Sequence, residues 1–517
     1  MKRLSIGVEL LLILAMAILP FNFAAVHSSS KCGWLAPSGN AGNTSSVDSE
    51  CAPTKHKIKK VWEYILQTPA TQILEGNAKV YLSTQNSLTC LTSSNGKTLW
   101  SAQLNNPELV GVWSDRVCIN VDNDMAGFDS SNGRKRWQRK GFLRAVYDGQ
   151  IFYSPDKETG IIGSGAISDG SQLWQYKTYR SEFQSKIERV VIEGNKCIIL
   201  SRDWEDKGVD SKTNDYQLVI HCLDILTGKL NWKKTIGSDN SGYMTIRDGK
   251  ILIHLKEIGL NAIDTVTGQT LWFSPSALDF DGGAISVDNQ RIIVQKNSML
   301  CLNSTNGKKL WSLDIGSQLM TQPVLSGDRI WTNIISSGII NCLGAKDGGE
   351  LWRWGLAQPQ KSMIAIGDGK IFVVWNEGKS LVALANASDK IVFTIGDNDY
   401  LLDKKPMVTK AIPLVKEGQA FVSMSLIIGQ LGGYFSYDYT SQNLIVQLNK
   451  TVMEMKIGKS DIVVNGEPRK IDKNEKIVPF IKNGYVMIPA KLFGEVFKMK
   501  SYINLTNKML AFSTDNM

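Results

Sequence analysis

Histidine, the side chain best suited to proton transfer near neutral pH, occurs only four times in 517 residues, as His27, His56, His221 and His254. His27 and His56 fall in polar, loop-like stretches. His221 and His254 lie in apolar, strand-like runs, where a hydrogen-bonded core histidine is the ordinary reading. None stands at the spacing of a catalytic triad or a metal site. There is no phosphate-cradling P-loop and no dinucleotide fingerprint. Of the eight cysteines, Cys90, Cys222, Cys301 and Cys342 each precede a tryptophan by ten residues, and read as small buried residues. Cys118 and Cys197 each open a strand-like run. Cys32 and Cys51 lie apart from the rest, and a bond between them would close a loop worth ~3 kcal/mol. A lipid-bearing Cys32 is the alternative, although Lys31 and the serines at 28–30 do not suit a lipoprotein signal. No catalytic, cofactor-binding or metal residue is assigned, and no cofactor is expected.

The elements that hold these residues follow a beat. A glycine precedes a tryptophan by four residues seven times: Gly96/Trp100, Gly133/Trp137, Gly170/Trp174, Gly228/Trp232, Gly268/Trp272, Gly307/Trp311 and Gly348/Trp352. Successive tryptophans are 37, 37, 58, 40, 39 and 41 residues apart. A period near forty, built from short apolar runs punctuated by Asp-Gly and Thr-Gly turns, predicts an all-β propeller of four-stranded antiparallel blades. The tryptophans read as wedges between neighbouring sheets. Eight blades are expected, with seven as the alternative. The eighth would use 353–393, with Phe393 in the tryptophan column. The strand around Val61 and Trp62 would pair into the last blade and leave no long open edge. The 58-residue spacing holds a charged insertion after Trp204, with Glu205, Asp206, Lys207, Asp210, Lys212 and Asp215. Such loops often carry function, which makes this one the candidate partner site.

The repeat resembles that of the pyrroloquinoline-quinone (PQQ)-type propellers, the family of quinoprotein alcohol dehydrogenases. The copies Ala262-Ile263-Asp264-Thr265-Val266-Thr267-Gly268…Trp272 and Cys222-Leu223-Asp224-Ile225-Leu226-Thr227-Gly228…Trp232 carry the likeness. It covers roughly 60–395 and implies the fold. It does not imply the quinone, because non-catalytic propellers share the repeat. The dehydrogenases of the family use a disulfide between adjacent cysteines, an aspartate base and calcium ligands. This chain has no adjacent cysteines, and the other groups map onto no matching motif.

Beyond residue 397 the beat stops. Pro413-Leu414-Val415-Lys416-Glu417-Gly418 and Pro479-Phe480-Ile481-Lys482-Asn483-Gly484 begin two copies of one unit at an offset of 66. Each copy continues as strand, short amphipathic helix and strand. The pattern is similar to the N-terminal "stalk" domain of copper amine oxidases, a small α+β module. The name implies no copper here, since the segment holds neither histidine nor cysteine.

The start of the chain has the order of a secretory signal: Lys2-Arg3, an apolar stretch over 10–19, then Ala24-Ala25. The expected organisation is a signal peptide at 1–25, a flexible linker at 26–57, a propeller at 58–396 and a stalk-like domain at 397–517. No membrane span is expected once the signal is removed. The net charge of +9 is spread along the chain, which disfavours a nucleic-acid groove. These features predict a secreted or surface-associated, non-catalytic binding or scaffold protein of the cell envelope. Its partner would be an envelope protein or an anionic wall polymer. A PQQ- and calcium-dependent oxidoreductase, and a scaffold resembling the outer-membrane assembly propeller lipoproteins, are the alternatives.

Overall fold

The computed structural model describes residues 32–514 apart from 42, 56, 180–182, 206–215, 238–242, 256–258, 278–283, 296–297, 316–321, 335–338, 356–361 and 376. The signal expected at 1–25 and the charged insertion from Asp206 to Asp215 lie outside these residues.

The repeat motif folds as its chemistry dictates. In the copy ending at Trp272, one carboxylate oxygen of Asp264 accepts the Val266 N–H, the Thr267 N–H and the Thr267 hydroxyl. That fixes a tight turn, which Gly268 completes at a φ of 70°. Gly268 is also required by packing, because a Cβ there would stand 2.9 Å from the ring of Trp232 in the preceding repeat.

Among the described residues, the strands between 58 and 386 fall into eight antiparallel sheets of four, two of which gain a fifth strand. In chain order their first strands are Ala70–Gly76, Glu108–Trp113, Phe142–Tyr147, Phe183–Glu193, Tyr243–Arg247, Ala284–Val287, Val324–Ser326 and Met363–Gly367. They are called sheets 1 to 8 below. The first strands of sheets 1 to 7 touch in order, and that of sheet 8 touches that of sheet 1. They therefore surround a central channel. The outer strand of sheet 8 is Ile58–Ile65, which pairs with Ser380–Asn386. One sheet thus joins the two ends of the ring.

Each motif glycine lies against the tryptophan of the sheet before it, from Gly96 on Trp62 to Gly348 on Trp311. The indole N–H groups cross the same gaps. Trp62 donates to Ser93 O at 2.9 Å, Trp100 to Ser130 O at 3.1 Å, Trp137 to Ile167 O at 2.8 Å and Trp174 to Ile225 O at 2.9 Å. Trp232 donates to Thr265 O and Trp311 to Ala345 O. Trp272 is the exception, its N–H buried without an acceptor. Every indole combines a wide apolar face with one satisfied or sequestered donor, and so ties a sheet to the next.

Two expectations need correction. Lys390–Thr394 is not the fourth strand of the eighth sheet, and Phe393 does not take the tryptophan column there. Trp62 takes it instead. Lys390–Thr394 pairs with Met509–Ser513, and Phe393 is buried in the C-terminal core. The propeller strands therefore end at Asn386 rather than 396, because the apolar residues at 391 and 393 find their partners in the other module.

That module is a strand-exchanged duplication. The first copy runs through Lys390–Thr394, Asp399–Leu402, Lys405–Val408, Leu414–Lys416, Gln419–Ser423, helix Met424–Gln430, Tyr434–Asp438 and Asn443–Leu448. The second runs through Thr451–Lys456, Asp461–Val464, Glu467–Lys470, Phe480–Lys482, Tyr485–Pro489, helix Lys491–Glu495, Lys500–Asn504 and Met509–Ser513. The last two strands of each copy complete the five-stranded sheet begun by the other. Ser423 caps the first helix, its Oγ accepting the Leu426 N–H, while Met424, Ile427 and Ile428 are buried.

The two modules are docked. The Trp352 N–H has no following propeller turn and donates instead to Gly432 O at 3.2 Å. Trp354 meets Tyr434 edge-on, with ring centroids 5.2 Å apart. Lys59 Nζ reaches Gln430 Oε1 at 2.6 Å, and the Ser388 N–H reaches Gln430 O.

Candidate functional site

Residues 32–52, expected to be part of a flexible linker, are folded into the channel instead. Gly33–Trp34 adds to the edge of sheet 1, and Ser46–Val47 adds in parallel to sheet 7. Between and beyond them, main-chain carbonyls accept N–H groups from one sheet after another. Leu35 O accepts from Val112, Ala41 O from Ile192, Thr44 O from Val287, Ser45 O from Leu325 and Cys51 O from Gly369. Asn43 Nδ2 donates to Met244 O in sheet 5. Cys51 is disulfide-bonded to Cys32. The segment is thus a hoop that follows the inside of the ring and is closed on itself. Room for it is made by small residues, since a Cβ on Gly76 would stand 2.8 Å from the Leu35 side chain. Polar composition reads as flexibility only where the backbone lacks partners. Here the unpaired edges of the inner strands supply them.

Below hoop residues 36–43 lies a cavity of about 270 Å³, walled by the first strands of sheets 2, 3 and 4. It opens towards the end where those strands begin. Each of the three strands carries a β-bulge at this level, with the register slipping at Val110, Arg144 and Glu188. A bulge inserts one unpaired residue and re-aims a side chain. Arg144 Nε donates to Ser154 Oγ at 3.1 Å and Nη2 to Lys157 O at 2.9 Å, with the guanidinium over the Phe142 ring. Burial lowers its pKa, opposed by the carboxylates of Glu188, Glu158, Asp156 and Glu108. Among the described residues it makes no ion pair. Glu188 pairs with Arg202 at 3.2 Å, and Glu108 accepts from Asn120. Arg202 lies over Tyr216, whose ring meets Trp204 edge-on. Trp204 at the base of the charged insertion is therefore linked to the cavity wall through Tyr216, Arg202 and Glu188.

At the other end of the channel, Glu75 is buried at 1% exposure, and its Oε2 has no hydrogen-bond partner. Gly367 faces that oxygen, at a place where any Cβ would collide with it. Burial, with the nearby Asp368 charge, raises the Glu75 pKa to about 8. The folded state thus prefers the protonated acid. Its contribution is complete below the ordinary carboxylate range and is lost as pH rises through about 8. Glu75→Gln should flatten this dependence, leaving the variant more stable than the parent at pH 8.5 by a few kcal/mol. Urea midpoints at pH 5 and pH 8.5 measure it. A parent whose midpoint does not fall between these values would refute the assignment.

Among the described residues, His221 and His254 belong to the core. His221 is fully buried between the Tyr176 hydroxyl at 3.1 Å and Ser201 Oγ at 3.0 Å, and burial lowers its pKa to about 4. His254 Nε2 meets Ala277 O at 2.7 Å. The six cysteines outside the hoop are buried, and burial pushes thiols such as Cys90 and Cys118 up to about 12. Among the described residues, no group of three or more His, Cys, Asp or Glu side chains is placed to hold a metal. The mouth residues Glu108, Arg144 and Glu188 were not anticipated from the sequence. A charged residue inside the apolar run Phe142-Leu143-Arg144-Ala145-Val146 is the signal that marks one of them.

A propeller family model, described as outer membrane protein assembly factor BamB, matches residues 59–203, 208–273 and 256–334, more than half of the chain. The chain belongs to that family. A second model, the copper amine oxidase N-terminal domain, matches 365–446 and 401–510. The BamB of Shewanella oneidensis is 23% identical over 237 residues, which cover 39% of this chain and 60% of that protein. The BamB of Yersinia pestis is 21% identical over 194 residues, covering 38% and 44%. The chain thus spans about half the length of these relatives. Among solved structures, a quinohemoprotein alcohol dehydrogenase from Comamonas testosteroni has a TM-score of 0.52 at 12% identity, covering 69% of this chain and 81% of that one. A europium-containing methanol dehydrogenase has a TM-score of 0.52 at 11% identity, covering 69% and 98%. At such identities the likeness is one of fold.

The quinone and metal of such dehydrogenases do not fit this BamB-family channel. The hoop lines the inner face of the ring, and the described residues offer no group of three or more His, Cys, Asp or Glu for a cation. The cavity instead presents the Arg144 guanidinium, which has no paired carboxylate among the described residues.

Proposed function

We propose that this BamB-family protein is an exported, non-catalytic scaffold that binds envelope proteins. In this reading it is an eight-bladed ring at 58–386 with a stalk-like module at 390–514 fixed to its side as a spacer or wall-associating element. The observation that carries it is the hoop, because inner strand edges already paired by the chain's own backbone leave the rims and faces of the ring for partner proteins. The family match to outer membrane protein assembly factors supports the same reading. The chemistry of the core agrees, since His221, His254 and the free thiols are buried, the histidines hydrogen-bonded and the thiols held neutral.

The test is capture from envelope extracts by the full chain, compared with a chain lacking 205–215 and read by mass spectrometry. Defined envelope proteins should be retained by the parent and lost on the deletion. Retention of every partner by the deletion moves the contact surface away from this insertion. A parent that retains none, and that reduces a dye with alcohols once PQQ and calcium are added, sinks the scaffold reading.

A further inference from the structure

We propose that the cavity beneath the hoop is a binding site for a free amino acid or a dipeptide, taken as a zwitterion. Arg144 would receive its carboxylate and Glu108 its ammonium group. The site is additional to partner recognition by the rims, and neither depends on the other.

The wall is constructed differently from the rest of the ring. The first strands of sheets 1 to 4 are bulged, whereas those of sheets 5 to 8 pair without a register shift, and the bulges of sheets 2, 3 and 4, at Val110, Arg144 and Glu188, line the cavity side by side. A bulge costs ladder hydrogen bonds, and three in adjacent sheets at one depth aim three side chains at one space. That space is about 270 Å³, close to the lower bound of ordinary ligand pockets at roughly 300 Å³.

Charge then selects the ligand. A partly buried guanidinium is normally matched by a carboxylate or phosphate. Arg144 is held by Ser154 and the Lys157 carbonyl, two neutral acceptors that orient it without neutralising it. The acidic side chains lining the same cavity are Glu108 and Glu188. Glu188 is already paired with Arg202, whereas among the described residues Glu108 has only the amide of Asn120 at 3.4 Å. One cation and one anion on neighbouring strands of the wall fit a ligand that carries both charges. Val110, Val146 and Val190 line the remainder and suit a small apolar side chain.

The roof is the hoop, so the site exists only while hoop residues such as Ala36, Asn40 and Asn43 are in place. Reduction of Cys32–Cys51 should therefore weaken binding without touching any residue that contacts the ligand.

The probe is L-alanyl-L-alanine, titrated calorimetrically into the full exported chain, beside its N-acetyl and C-terminal amide forms. The free dipeptide should bind tightest. The amide should lose at least tenfold, and the N-acetyl form less. Arg144→Gln should lower dipeptide affinity at least tenfold, with partial recovery in Arg144→Lys. Glu108→Gln should weaken the free dipeptide and leave the N-acetyl form unaffected. Near-ultraviolet circular dichroism checks that each variant is folded, and if Arg144→Gln is not, the three ligand forms on the parent still decide. Equal affinity for acid and amide overturns the proposal, as does no binding by the parent at millimolar dipeptide. Inorganic phosphate binding as tightly as the dipeptide would overturn the zwitterion and leave an anion site. Any of these results leaves partner capture by the parent unchanged, so the two readings fail separately.

Discussion

Trp352→Ala should destabilise the protein by about 3–5 kcal/mol and split its unfolding into two transitions. Trp352 is 2% exposed, and it is the indole whose donor leaves the ring, bonding to Gly432 O. Removing it opens a cavity between sheet 7 and the C-terminal module and strands a buried carbonyl. The other tryptophans staple sheet to sheet, so truncating them should loosen the ring while the modules stay coupled. Trp352 holds two separately cored bodies together, and its loss should let each unfold at its own midpoint. Trp352→Phe, which keeps most of the packing but no N–H, should cost about 1 kcal/mol and preserve a single transition. Calorimetry reads both quantities. A single, unshifted transition in Trp352→Ala would show that Trp354–Tyr434 and Lys59–Gln430 suffice for coupling.

Opening the hoop should cost about as much. Cys32 and Cys51 are separated by 19 residues, and closing a loop of this size removes chain entropy worth ~3 kcal/mol. The double variant Cys32→Ser, Cys51→Ser should therefore shift the urea midpoint down by that amount, and dithiothreitol should shift the parent equally. The comparison is clean because the six other cysteines are buried thiols outside any disulfide. The inner strands contribute as well. A released hoop would leave Val112, Ile192, Val287, Leu325 and Gly369 with unpaired N–H groups facing the channel. Equal midpoints with and without reductant would mean that these hydrogen bonds alone hold the segment.

The Gly-x-x-x-Trp spacing disclosed the propeller because the motif is a local unit. Asp264, Thr267 and Gly268 form their turn from neighbours in sequence, and Trp272 follows at a fixed distance. Trp62 was visible by its spacing to Trp100 although it lacks the glycine. The remainder was hidden for physical reasons. Residues 32–52 have loop composition, and their order comes from strand edges distant in sequence, from Gly76 to Gly369. The run at 390–394 is apolar, and nothing local tells whether it pairs with Ser380–Asn386 or with Met509–Ser513. The offset of 66 revealed the later two-thirds of each stalk-like copy. The earlier third, where Pro406 corresponds to Pro468, keeps the strand pattern with little residue identity. Arg144 was missed, since its one local mark is a charge in an apolar run and the bulge that aims it depends on pairing.

The exchange of strands between the two C-terminal copies sets an order of events. Lys390–Thr394 is translated more than a hundred residues before Met509–Ser513, its edge partner. Ile58–Ile65 likewise waits for Ser380–Asn386. Neither module can be completed as the polypeptide emerges, so each must keep open β-edges until its last segment arrives. Nascent chains of this protein should be unusually dependent on holding chaperones, and truncations should aggregate rather than fold as smaller rings.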